Sequence, residues 1–206
     1  MTLSKRSQQL LDLIIEEQEG GWVLSKDPDG GDGGWTFGGV TANTFNKFTF
    51  QATNYRCPTY SLADNFASLS HATFKAACLE IYEANYFPPH FDELPALLQG
   101  PLLSASIHCG RKTAVKLLQT TYNNDHSDLA ILLAVDGDLG QVTLDEVNAQ
   151  FTSWSINFIK DFLGTWEEHY RSIVDANPDK EQFLKGWLNR VAFWDGQLAS
   201  SFAPQA

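Results

Sequence analysis

One carboxyl is set apart by its neighbours. Glu19 follows a run with helical spacing, roughly Ser4 to Gln18, and is itself followed by Gly20, Gly21 and Trp22. Glycine just past a last apolar-periodic turn marks a helix C-terminus. A carboxyl at that end lies beside the negative pole of the helix dipole, which disfavours its ionised form. If Trp22 also excludes water, desolvation pushes the same way. A carboxylic acid kept protonated near neutral pH can protonate the leaving oxygen of a glycosidic bond. By helix position alone a solvated helix end is the better account of Glu19, so the surrounding residues carry the distinction.

Other groups with chemical potential lie close by. The segment Asp27-Pro28-Asp29-Gly30-Gly31-Asp32 is acidic and turn-rich, and Thr36 and Thr41 follow it. A calcium loop of the EF-hand type needs glycine at its sixth position. Counted from Asp27 that position is Asp32, so a turn is the better reading. Asp136 and Asp138 in VDGDLG lack enough further ligands as well. The five histidines show no HExxH or paired metal spacing, and the chain has no Walker loop, GxGxxG after a strand, or GxSxG elbow. No metal and no organic cofactor are expected. His108 and Cys109 are adjacent, and adjacent residues point in different directions from a helix, which argues against a thiol nucleophile with its base.

The elements that position these residues follow from periodicity. Leu10, Leu13 and Ile14, with Leu11, form the apolar stripe of the first helix. Trp22-Val23-Leu24 and Trp35-Thr36-Phe37 are strand-forming runs separated by the turn-rich segment, which predicts a small β-hairpin. The remainder is helical in pattern. Phe74, Ala77, Cys78, Ile81 and Tyr82 follow the 3,4 spacing, and a long helix from Ser153 to about Asp175 turns Ile156, Ile159, Leu163, Trp166, Tyr170 and Ile173 inward. Asn177-Pro178 stops it, and Phe183, Trp187, Val191, Trp194 and Leu198 mark the last helix. The expected fold is all-α with a small β-hairpin after the first helix. The prolines near Pro95 and Pro101 suggest two regions, 1–95 and 96–206.

Composition narrows the partners. The 206 residues include 14 basic and 25 acidic side chains, a net charge of -11, which argues against nucleic acid because phosphate binding needs clustered Lys and Arg. It also disfavours unaided attraction to an anionic envelope. Three cysteines with no CxxC pair suggest reduced thiols. The apolar patch from Leu10 to Ile15 is interrupted by Asp12 and is too short for a membrane span or an export signal. A product made in the cytoplasm without stable membrane insertion is expected.

The ordered run Glu19-Gly20-Gly21-Trp22-Val23, Asp27-Pro28-Asp29, Gly33-Gly34-Trp35-Thr36 and Gly39-Val40-Thr41 resembles glycoside hydrolase family 108. Leu103 to Gln119, then VDGDLG, then Phe183 to Val191, resemble the predicted peptidoglycan-binding domain that follows that catalytic half. The resemblance implies a lysozyme-like fold and an N-acetylmuramidase of the endolysin kind. Its substrate would be the β-1,4 bond between N-acetylmuramic acid and N-acetylglucosamine, with Glu19 as general acid. By the same resemblance Asp29 or Asp32, with Thr36 or Thr41, would activate water opposite the leaving group. The DPDGGD spacing is longer than the family's usual one, which leaves Asp29 and Asp32 both open. Trp22 and Trp35 are candidate walls of the sugar cleft, and Asn189 and Arg190 are candidate contacts to peptide or sugar. Action at the periplasmic wall would depend on a holin or another export route. A muramidase that opens the wall locally for secretion, and a non-catalytic peptidoglycan-binding module, are the competing readings.

Overall fold

Ser4 starts the first helix, α1 (Lys5–Gln18), because its hydroxyl accepts the Ser7 N–H at 3.1 Å and so satisfies a free donor of the first turn. Leu11, Ile14 and Ile15 are the fully buried apolar residues of α1, while Leu10 and Leu13 are half-buried. The buried stripe is therefore rotated from the one expected on Leu10 and Leu13, because it faces the interior through the 11, 14, 15 positions. The helix ends as expected. The Ile15 carbonyl accepts from both the Glu19 N–H at 3.2 Å and the Gly21 N–H at 2.8 Å. That double bond requires the chain to double back, and Gly20 and Gly21 do so with φ of +81° and +88°.

The computed structural model describes residues 3–26, 35–47, 70–127, 132–151 and 155–201. After α1 come β1 (Leu24–Lys26), β2 (Trp35–Phe37) and β3 (Val40–Thr41), a three-stranded antiparallel sheet in that order. Trp22 and Val23 precede β1 instead of belonging to it. The third strand arises from Gly38-Gly39, which have φ of +52° and +77°. Positive φ at both central residues is the signature of a two-residue turn whose twist matches that of its strands. The register pairs Leu24 with Phe37 and Phe37 with Val40, and one residue away pairs Ser25 with Thr36 and Thr36 with Thr41. Side chains alternate across a sheet. Phe37 and Val40 thus enter the core while the three hydroxyls share the other face. Next come α2 (Ala42–Lys47) and α3 (His71–Tyr86), whose buried residues are Phe74, Ala77, Cys78, Ile81 and Tyr82, the stripe read from the sequence.

The chain divides into two units, Met1–Asn85 and Tyr86–Ala206. The second contains α4 (Ala96–Cys109), α5 (Arg111–Asp125), α6 (Gln141–Gln150), α7 (Ser155–Ala176) and α8 (Glu181–Ser201), with short 3-10 turns at Phe91–Glu93 and Pro178–Lys180. Every residue of α4 from Leu98 to Ser106 is buried, the polar Gln99, Ser104 and Ser106 included, so this stretch lies within its unit on every side. Ile159, Leu163, Trp166 and Tyr170 are buried on α7, and Val191, Trp194 and Leu198 on α8, while Phe183 is 37% exposed. A Cβ on Gly100 of α4 would lie 2.4 Å from Cη2 and Cζ3 of Trp194, so these helices meet where only glycine fits. The VDGDLG turn is held by the buried side chain of Gln119. Its Nε2 donates to the Asp136 carboxylate at 2.9 Å, the Asp138 carbonyl at 3.0 Å and the Thr143 hydroxyl at 3.2 Å, and its Oε1 accepts the Gly137 N–H at 2.9 Å.

Two stability changes follow. Gly100→Ala is expected to cost about 1–3 kcal/mol through overpacking against Trp194, read as a lower urea midpoint with an unchanged m value. An unshifted midpoint would mean the indole moves aside freely. Gln119→Leu strands the Gly137 amide and removes three donations, for about 1–3 kcal/mol. Faster hydrogen exchange at Gly137 is the local readout, and unchanged protection there would contradict the clamp.

Candidate active site

Glu19 is the C-terminal cap of α1, half-buried, with its Oε1 shielded from solvent. Its other oxygen lies against the β2–β3 turn. A Cβ built on Gly39 would be 2.9 Å from Glu19 Oε2, 3.2 Å from Glu19 Cγ and 2.9 Å from Tyr82 Oη. The turn's other residue is equally confined, since a Cβ on Gly38 would lie 2.6 Å from Cε3 and 2.9 Å from Cζ3 of Trp22. Tyr82, from α3, donates its hydroxyl to the Gly38 carbonyl at 2.5 Å. The carboxyl, the turn and the phenol thus meet at one corner.

Trp22 stands behind that corner. It is only 6% exposed. Its indole N–H donates to Asp12 at 2.7 Å, and Lys75 Nζ donates to the same carboxylate oxygen at 2.7 Å while lying 4.7 Å from the indole centroid. The Trp22 carbonyl accepts from His71 Nε2 at 2.9 Å. Phe37 packs beside it, 5.9 Å from the Trp22 ring and 4.7 Å from Phe74 between centroids. In this setting the indole N–H of Trp22 is engaged by Asp12 and its face by Lys75.

The remaining candidates distribute as follows. Thr36 lies in the middle of β2, its hydroxyl 2.9 Å from that of Ser25, with Thr41 directly across on β3. Both threonines therefore sit on the hairpin whose turn abuts Glu19, one residue pair away from the turn. Thr41 also caps α2, accepting the Thr44 N–H at 3.2 Å. Trp35 is half-buried at the start of β2, opposite Lys26. Asp29 and Asp32 lie outside the described residues. Asn189 and Arg190 belong to α8 of the second unit, Asn189 exposed and Arg190 half-buried with Nη1 donating to the Gly186 carbonyl at 3.4 Å.

Asp12, Lys75, His71, Tyr82 and Ser25 were missed by sequence reasoning. Asp12 left a signal, a charge interrupting an apolar run. Tyr82 left none, because its spacing is that of a core residue. The His108–Cys109 pair is not a nucleophilic dyad. Burial, aided by the charge of Arg190, lowers the His108 pKa to about 3, and burial raises that of Cys109 above its usual range against the opposing hydrogen bonds of Tyr170 and Trp166. A neutral imidazole beside a neutral thiol has neither the base strength nor the thiolate that such chemistry needs. Asp136 is occupied within its turn: the Asp138 amide and Gln119 hold its carboxyl below the ordinary range. Among the described residues no cluster of three metal-ligating side chains occurs.

Residues 13–110 match the glycosyl hydrolase 108 family, a span that includes Glu19, the sheet, Tyr82 and α4. Among solved structures, Brucella abortus SagA is similar in fold, with a TM-score of 0.64 and 22% sequence identity over 96% of each chain. No curated protein matches the sequence. With an all-α, lysozyme-like architecture, a small sheet after its first helix and this match over residues 13–110, the protein is a glycoside hydrolase similar to family 108.

Proposed function

We propose that this glycoside hydrolase is an N-acetylmuramidase that cleaves the β-1,4 bond between N-acetylmuramic acid and N-acetylglucosamine in peptidoglycan, with Glu19 as the general acid. The observation that carries the reading is the setting of Glu19. It caps the C-terminal end of α1, has one oxygen shielded, and has the other against a glycine corner with no room for a side chain. A carboxyl at the C-terminal end of a helix lies beside the negative pole of the helix dipole, which disfavours its ionised form. Glu19 then donates its proton to the glycosidic oxygen as the bond to the anomeric carbon breaks. Asp29 or Asp32, with Thr36 or Thr41, orients the water that attacks that carbon and takes up its proton. Support for the threonines is their place on the hairpin that packs on the acid.

In this reading Trp35 offers its half-buried ring to a sugar face, and Trp22 serves the site through the corner it supports. The second unit binds the peptidoglycan strand, with Asn189 and Arg190 as polar contacts on α8. The biological role is that of an endolysin, made in the cytoplasm and lysing the host cell at the periplasmic wall. Delivery is assigned to a separate route such as a holin. Among the described residues no helix is long and apolar enough to cross a membrane.

The test is clearing of purified sacculi freed of outer membrane, with mass spectrometry of the released fragments. Wild type should clear them and create new reducing ends on N-acetylmuramic acid. Glu19→Gln, which keeps shape but has no proton to give, should lose about 10²–10⁴-fold in rate or more. Clearing by Glu19→Gln at the wild-type rate would remove the residue from catalysis. If neither protein released fragments while both folded and bound sacculi, a non-catalytic binding module would replace the enzyme reading.

A further inference from the structure

Tyr82 is 2% exposed and closes the α3 core stripe, where phenylalanine would satisfy the packing. Its ring meets the Trp22 ring edge-on, with centroids 6.2 Å apart. The hydroxyl is therefore the informative atom. It donates to the Gly38 carbonyl at 2.5 Å, a contact between residues 44 apart in sequence. The same oxygen and Glu19 Oε2 each lie 2.9 Å from the point where a Gly39 Cβ would stand. The phenol thus touches the turn at the place where the turn touches the carboxyl.

We propose that Tyr82 is a positioning residue for Glu19, acting through the Gly38–Gly39 turn. The turn has few restraints of its own. Both residues are glycines with positive φ, and glycine has the widest choice of backbone conformations. One side of Gly38 is blocked by Trp22, and its carbonyl is fixed by the Tyr82 hydroxyl. With that carbonyl held, the orientation of the Gly38–Gly39 peptide plane is set, because the plane is rigid. Gly39 Cα is then a fixed wall for Glu19 Oε2 and Cγ. Without the hydroxyl the peptide plane can rotate, and the wall and the carboxyl shift together. General acid catalysis depends on the acid lying within hydrogen-bond reach of the leaving oxygen. Tyr82 acts through the turn in this scheme and is not the proton donor. It supplies rigidity from α3 to an acid carried by α1.

The inference rests on Glu19 being the general acid, and the experiment keeps the two claims apart. Wild type, Tyr82→Phe, Gly39→Ala and the double variant are assayed on a soluble oligomer of alternating N-acetylglucosamine and N-acetylmuramic acid, with Glu19→Gln alongside and folding followed by thermal melts. Tyr82→Phe is expected to lower kcat by about 10–100-fold, the scale of an ångström-sized misplacement of a catalytic group, with KM within about two-fold of wild type. Gly39→Ala, which puts a methyl between the carboxyl and the phenol, should give the same split. The two losses should be strongly non-additive in the double variant, because they act on one corner. A folded Tyr82→Phe protein with wild-type kcat overturns the proposal, and so does a loss that scales only with the unfolded fraction. If Tyr82→Phe fails to fold, fluorotyrosine at position 82 keeps the shape while strengthening the donor. A kcat that does not respond to fluorination then overturns the proposal. Full activity of Glu19→Gln would instead overturn the assignment of the acid.

Discussion

The close approach at Gly38 and Gly39 is the contact on which the first unit depends. Two adjacent residues must both adopt positive φ, one must tolerate an indole at its Cα, and the other must tolerate a carboxylate and a phenol. Any side chain at Gly38 would collide with Trp22, and any at Gly39 would collide with Glu19 and Tyr82. The constraint joins three elements that are far apart in sequence. α1 delivers Glu19, α3 delivers Tyr82, and the β2–β3 turn lies between them.

The support behind that corner is electrostatic in form and modest in energy. Asp12 accepts from both the Trp22 indole and Lys75, yet the Lys75 and Asp12 side chains are 30% and 44% exposed. A partly exposed ion pair contributes about 0–1 kcal/mol. Its larger effect is directional. The carboxylate holds the indole edge, the ammonium lies over the indole face, and His71 holds the Trp22 carbonyl. Ring packing of Phe37 with Trp22 and Phe74 supplies the burial that makes those directions persistent. The apolar face of the sheet enters the core through Phe37 and Val40, and its hydroxyl face carries Ser25, Thr36 and Thr41 in register.

The second unit is built on a different principle. Helix α4, buried from Leu98 to Ser106, has Trp194 of α8 seated on its Gly100. Three of the unit's titratable groups are shifted toward their neutral forms: burial lowers His108 and raises Cys109 and Tyr170. Such an interior suits a structural core more than acid–base chemistry. The polar clamp of Gln119 on the Asp136–Asp138 turn is its counterpart at the surface, fixing a loop that has little apolar anchorage.

Local rules sufficed for much of this protein. Gly20-Gly21 after an apolar-periodic run ended α1 at Glu19, and the spacing of Phe74, Ala77, Cys78, Ile81 and Tyr82 identified the buried face of α3. Both signals are carried by residues within a few turns of each other, where backbone preference and burial agree. The α1 stripe was legible only to within a rotation, since Leu10, Leu11, Leu13, Ile14 and Ile15 offer more apolar positions than one face can hold, and packing chose Leu11 and Ile15 over Leu10 and Leu13. Trp22 read as part of a strand-forming run, and it instead lies buried ahead of β1; its partner Asp12 is 10 residues away and Lys75 is 63 residues from Asp12, beyond the reach of a local pattern. Periodicity states which face of an element is buried. It carries no information on which polar tip within that face ends beside which carbonyl, so the Tyr82 hydroxyl on Gly38 and the glycine wall on Glu19 were decided by tertiary packing alone.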